Sequence, residues 1–121
     1  MKEVQRTKCY DLEDRTLEFT KRTIRFIKTI PHTLANIEIT KQLVRSSGSI
    51  GANYIEANEA LGKKDFLMRI KICRKEAKES IYWLKLTDVN ISESEVERQS
   101  LIQEATELMK IFGSILEKSK S

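Results

Sequence analysis

The sequence predicts an all-α protein, an antiparallel up-down-up-down four-helix bundle, and three observations carry that expectation. Only one proline and four glycines punctuate 121 residues. Charged residues make up 33% of the chain and lie in long stretches rich in Glu, Lys, Leu and Ala, a composition that favours long helices over many-turned sheets. Apolar residues recur every three or four positions along four separate segments. A chain of this length buries roughly two thirds of its unfolded surface, enough for one core. One domain is therefore expected over residues 11–118, preceded by a flexible segment over residues 1–10.

The first helix is expected over about residues 12–30, led by Asp11 and closed by Pro31-His32. Its apolar line is Leu17, Thr20, Ile24 and Ile27, with Leu12, Phe19, Phe26 and Ile30 nearby. A second helix, about residues 35–61, carries Leu43, Ser47, Ile50, Tyr54, Ala57 and Leu61 and stops at Gly62, a natural helix C-terminal residue. Asp65 caps or leads a third, in which Phe66, Ile70, Cys73, Ala77, Ile81 and Leu84 share a face widened by Leu67 and Trp83, and which ends near Asp88. In the turn that follows, Ser92 stands three residues before Glu95, the spacing of a capping box. The fourth helix then runs through Leu101, Ala105, Leu108, Phe112 and Ile115 and frays after Glu117.

No apolar run approaches the roughly 18 residues that span a bilayer, and MKEVQRTKCYDLEDR lacks the apolar centre of a secretory signal. A cytoplasmic protein with no membrane partner is expected. Cys9 and Cys73 have neither ligand spacing nor a disulfide framework, and Cys73 falls on a core stripe. No metal or cofactor is called for.

Charge is unevenly laid out around a net +4. Arg15 to Lys28 holds five basic residues and one acid; Lys63 to Lys85 holds eight and three; Asp88 to Glu107 holds six acids and one arginine. Such a chain has one surface that attracts phosphate and another that attracts its own basic side. Basic third-helix and acidic fourth-helix surfaces on neighbouring copies would meet head to tail, the contact that closes rings.

Catalytic patterns are weak. His32 follows a proline in a turn and has no carboxylate or second ligand at a useful spacing. Glu56, Glu59, Glu76 and Glu79 resemble inward bundle carboxylates but lack the Glu-x-x-His that a di-iron site requires. Gly62-Lys63-Lys64 fails as a phosphate loop, because Ala57 replaces the first glycine, Lys64 the hydroxyl residue, and no strand precedes it. Ser46, Ser47 and Ser49 have no base nearby in sequence.

The stretch RSSGSIGANYIEAN, Arg45 to Asn58, has the stripe of a helix but is loaded with small residues. Each of Gly48 and Gly51 costs about 0.8–1 kcal/mol relative to alanine in a helix interior. Close approach of another backbone would offset that cost. By face, Leu43, Ser47, Ile50 and Tyr54 point toward the protomer core, while Arg45, Ser49, Asn53 and Glu56 form a polar seam within reach of Arg74, Glu76 or Glu79. An exposed flank of surface ion pairs is the plainer alternative.

Ligand binding is signalled only by two basic stripes. Lys64, Lys71, Lys75, Lys78 and Lys85 follow helical spacing opposite the apolar face of the third helix, and Lys21, Arg25 and Lys28 do so on the first. Such stripes bind RNA or DNA phosphates with release of counterions. No aromatic interleaving that would engage bases accompanies them in this reading. The alternative is a protein-interaction module whose lysines serve solubility alone.

The run LVRSSGSIGANYIE at Leu43 to Glu56, then Lys64-Asp65-Phe66 and RKEAKESIYWLKL at Arg74 to Leu86, resembles the bacterial four-helix-bundle family encoded in intervening sequences of 23S rRNA genes. Arg45, Ser46, Ser49, Ile50, Asn53 and Glu56 match the family's second-helix signature. The chain also looks like the accessory variability determinant of diversity-generating retroelements, which partners a reverse transcriptase. Ala57 departs from the glycine of many members, and RKEAKESIYWL departs from a Gly-Ser-centred third helix. The resemblance implies a homopentameric barrel with a basic face, association with nucleic acid, and a reverse transcriptase or other protein as a further partner; the weak catalytic patterns above separately lead to the expectation of a protein that is not an enzyme.

Overall fold

In a computed structural model, residues 11–120 are described, and they form four helices: α1 (Leu12–Ile27), α2 (Leu34–Asn58), α3 (Lys63–Leu86) and α4 (Ser92–Lys118). The expected flexible segment over residues 1–10, with Cys9, lies outside the described residues. Each helix packs on its chain neighbours, and α1 closes against α4. Side-chain pairs fix the directions. Glu13 meets Asn58 while Thr20 meets Ser47, Asn53 meets Arg69 while Arg45 meets Glu76, and Arg15 meets Glu104 while Arg22 meets Glu97. In every pair one number rises as the other falls, so neighbouring helices are antiparallel and the bundle runs up-down-up-down.

The core is filled by Phe19 and Phe26 of α1, Leu43 and Ile50 of α2, Ile70, Cys73 and Leu84 of α3, and Leu101, Leu108 and Phe112 of α4. Tyr54 reaches diagonally to Phe112, with ring centroids 6.0 Å apart. Phase on α1 differs from the expected line. Leu17 is 52% exposed and Ile24 also faces outward, while Thr16, Phe19, Thr23 and Phe26 are buried. The two phenylalanines bury more apolar area than Leu17 and Ile24 would, and so set the rotation of the helix. Thr16 and Thr23 are tolerated inside because their hydroxyls donate to the carbonyls of Leu12 and Phe19, at 2.8 and 2.9 Å.

Three helix ends also differ. α1 stops at Ile27, because Thr29 N–H turns back to the Phe26 carbonyl at 2.9 Å and Pro31 disfavours helix in the residue before it. α2 stops at Asn58; Leu61 is fully exposed, and Gly62, with φ −158°, is extended backbone that starts α3. Ser92 is the first residue of α4 and makes no capping box; Ile91 holds the cap position, and the Glu95 carboxylate accepts from Arg98 and Gln99. Asp11 and Thr33 do cap, accepting from backbone N–H groups of α1 and α2.

A polar clasp closes one end of the bundle. Asn36, 2% exposed, donates to the carbonyls of Pro31 and Asp88 at 2.8 and 3.0 Å and accepts from Asp88 N–H at 2.9 Å. It thereby ties the α1–α2 turn to the α3–α4 turn.

Candidate nucleic-acid interface

Lys64, Lys71, Lys75, Lys78 and Lys85 are all exposed along α3, opposite the buried Ile70, Cys73, Ala77 and Leu84. Steps of seven, four, three and seven keep them on one stripe about 30 Å long at 1.5 Å rise per residue. None of the five pairs with a carboxylate among the described residues. Their charge therefore faces solvent uncompensated.

Tyr82 belongs to this stripe, contrary to the expectation that no aromatic interleaves it. It stands four residues after Lys78 and three before Lys85, and lines one open groove with Lys75, Lys78, Glu79 and Trp83. The spacing itself carries this signal, since Tyr82 follows the period of the lysines.

Lys21, Arg25 and Lys28 are likewise exposed on α1, where Arg25 pairs with Glu18 at 3.1 Å. The two basic stripes are not brought together. α1 and α3 occupy opposite corners of the bundle, so their outward faces point away from each other.

The polar seam forms between α2 and α3 of one protomer. Arg45 donates to both oxygens of Glu76, at 3.1 and 3.4 Å, and to Glu79 at 2.9 Å. The hydrogen bond that Arg45 donates to Glu76 leads the influences on it, and with the nearby carboxylate charges it outweighs desolvation and raises the guanidinium above its ordinary value. Ser49 donates to the Arg45 carbonyl, and Asn53 donates to the Ser49 carbonyl while accepting from Arg69 at 2.9 Å. Deeper in the same interface, Ser80 donates to Ser46 at 3.0 Å.

Two named members stand apart from this network. The Glu56 side chain is exposed and makes no hydrogen bond among the described residues, and Arg74 lies on the α4 side of α3, beside Gly113. Arg69 was missed, although it lies seven residues before Glu76 on the same helical face.

The acidic start of α4 is mostly satisfied within the protomer. Arg15 reaches Glu104 at 2.7 Å and Glu107 at 2.8 Å, Arg22 reaches Glu97 at 3.2 Å, and Glu95 pairs with Arg98. Of the six acids between Asp88 and Glu107, Asp88 and Glu93 alone have no ion pair among the described residues. Charge polarity along the chain is thus largely complementarity between α1 and α4.

Reactive side chains are occupied or insulated. The Cys73 thiol is buried, donates to the Ile50 carbonyl at 3.4 Å, and is pushed up to about 12 by desolvation. Ser46 and Ser47 donate to carbonyls of their own helix. Among the described residues no cluster of His, Cys, Asp or Glu has the makings of a metal site, and no helix is long and apolar enough to cross a membrane.

Small residues bring α1 against α2. A Cβ on Gly51 would stand 3.0 Å from Thr16 Oγ1, and Thr20 donates to the Ser47 carbonyl at 2.9 Å. Gly48 has nothing within 4 Å of such a position, and nothing in the protomer explains it. Exposed Leu17, Ile24, Val44 and Ile55 share, by helical phase, the outer side of this helix pair.

Comparison with known proteins agrees with the fold. A crystal structure at 1.70 Å of a protein of unknown function from the S23 ribosomal protein family of Bacteroides thetaiotaomicron VPI-5482 is 35% identical, with a TM-score of 0.71. The similarity covers 87% of this chain and 97% of that one. No curated protein matches. Residues 10–114, which take in all of α1, α2 and α3 and most of α4, match the family described as 23S rRNA-intervening sequence protein. This chain belongs to that family.

Proposed function

We propose that the protein is a non-enzymatic homo-oligomer, a pentameric ring, that binds RNA or DNA through the lysine stripe of α3. The observation that carries the ligand is that stripe, five exposed lysines on one helix face with no carboxylate partner among the described residues. Duplexes and single strands present a phosphate row that such a stripe neutralises with release of counterions. Lys21, Arg25 and Lys28 supply a second, separate basic face on each protomer.

Assembly is supported by the exposed apolar side chains Leu17, Ile24, Val44 and Ile55 on the outer side of α1 and α2, which a neighbouring copy would cover. Arg45, Ser49 and Asn53 are satisfied inside the protomer, which leaves Glu56 as the signature residue available to a neighbour. The same apolar side favours the second reading, a protein-interaction module with no nucleic-acid ligand.

Salt separates the two readings. Affinity for a labelled oligonucleotide is expected to fall steeply between about 50 and 200 mM salt, because each phosphate contact adds roughly 0.7–0.9 to the log–log slope. Absence of binding at the lower salt, or binding indifferent to salt, rules out the phosphate reading. Light scattering tests the ring separately; a monomer overturns it.

A further inference from the structure

We infer that Tyr82, flanked by Lys75, Lys78 and Lys85, is a base-stacking site that makes single-stranded nucleic acid the preferred ligand of the α3 stripe. This rests on the nucleic-acid reading above and narrows it to a ligand class and a residue.

Tyr82 is 59% exposed although aromatic side chains are among the largest contributors to cores. Its ring is held, not loose. It packs edge-on against Trp83 with centroids 5.0 Å apart and planes at 76°, so Trp83 supports the ring at one edge rather than covering it face to face. Lys75 and Lys78 line the same groove, and Lys85 lies one helical turn beyond. The one acid there, Glu79, is engaged by Arg45 at 2.9 Å, an arginine it shares with Glu76, so its repulsion of a phosphate is reduced but not cancelled.

An exposed ring among cations is the arrangement that binds single strands, with backbone phosphates on the lysines and a base on the ring. A duplex keeps its base faces stacked inside and would use the lysines alone. Stacking needs only a π-face, so neither base identity nor the sugar decides the contact.

The test is fluorescence anisotropy at about 50 mM salt with labelled oligothymidine and oligouridine of about 20 nucleotides and a duplex of equal length. Wild type is expected to bind both single strands more tightly than the duplex. Tyr82→Ala is expected to weaken single-strand binding by about 5- to 100-fold and to leave duplex binding nearly unchanged, while Tyr82→Phe retains the wild-type affinity. Trp83, the chain's only tryptophan, is expected to change its emission on single-strand binding and not on duplex binding. Equal affinity for the three probes with Tyr82→Ala silent overturns the stacking site and leaves the lysine stripe standing. A Tyr82→Ala variant that changes oligomer mass while keeping single-strand affinity makes Tyr82 an assembly residue and also overturns it. Failure of every probe to bind overturns the nucleic-acid reading itself.

Discussion

Arg45 on α2 and Glu76 on α3 form a two-pronged ion pair whose carboxylate end is nearly sealed, Glu76 being 6% exposed. The asymmetry decides which partner matters. Removing the arginine strands an anion in a poorly solvated place, whereas neutralising the glutamate leaves groups that still hydrogen-bond. Arg45→Ala is expected to lower stability by about 1–2 kcal/mol, and Glu76→Gln by less. Urea unfolding of both single variants and the double variant measures this; a silent Arg45→Ala shows that the seam does not hold α2 to α3.

Gly51 and Gly48 share a helix and should respond oppositely to alanine. Gly51→Ala sets a methyl 3.0 Å from Thr16 Oγ1, which is pinned to backbone carbonyls at 2.8 and 3.1 Å. Overpacking outweighs the gain in helix propensity, and a net loss of about 1 kcal/mol is expected. Gly48→Ala meets nothing within the protomer and is expected to gain about 0.5–1 kcal/mol at the level of the isolated bundle. Thermal unfolding of the two variants checks the pair, and equal shifts would remove the close α1–α2 approach as the reason for Gly51.

Acid should weaken the α1–α4 interface. Hydrogen bonds from Gln103 and then Arg15 hold the Glu107 carboxyl below its ordinary range, and Gln99 and Arg98 do the same for Glu95. A carboxylate with a depressed folded value stabilises the fold above its unfolded value, about 4.3, and loses that contribution as pH falls through the folded value. The melting temperature is expected to drop below about pH 4.3, and less steeply in Arg15→Met. Identical acid profiles for wild type and variant would show that Arg15 does not set the Glu107 titration.

Glu56 separates protomer from assembly. Its carboxylate is exposed and has no hydrogen-bond partner among the described residues, so Glu56→Ala should change bundle stability by no more than about 0.5 kcal/mol. Its place in the ring reading requires a lower oligomer mass in the variant. Light scattering at several concentrations decides, and an unchanged mass with an unchanged melting temperature removes Glu56 from the assembly surface.

Helix number and order were legible because the apolar repeats on α2, α3 and α4 lie where they bury: Leu43 and Ile50, Ile70 and Cys73, Leu101 and Leu108. The phase of α1 was not, because two threonines that satisfy their hydroxyls on their own helix took inward positions that the pattern assigned to Leu17 and Ile24. Helix ends failed where a neighbouring residue or helix offered a competing local arrangement. Gly62 served the following helix, and the Glu95 side chain turned to Arg98 and Gln99 instead of completing a cap. Asn36 carries no signal in the sequence pattern, because a clasp between two turns 52 positions apart leaves no local trace.

The lysine stripe itself followed directly from spacing, since exposed positions on a helix obey the same period as buried ones. Tyr82 shares that period, four residues after Lys78 and three before Lys85, so the same spacing places it on the stripe. Arg74 was placed on the wrong side because a seam partner must match angular position as well as height along the helix.

Binding of a labelled single-stranded oligonucleotide at low salt to wild type and to a Lys71→Gln/Lys75→Gln/Lys78→Gln variant tests the central claim most directly. The three lysines are exposed and unpaired among the described residues, so the variant should keep its fold, measured by circular dichroism. Loss of three phosphate contacts is expected to reduce affinity at least about tenfold and to flatten the log–log salt slope by about 2. A folded variant that binds with wild-type affinity and wild-type slope would contradict the assignment of nucleic-acid binding to α3.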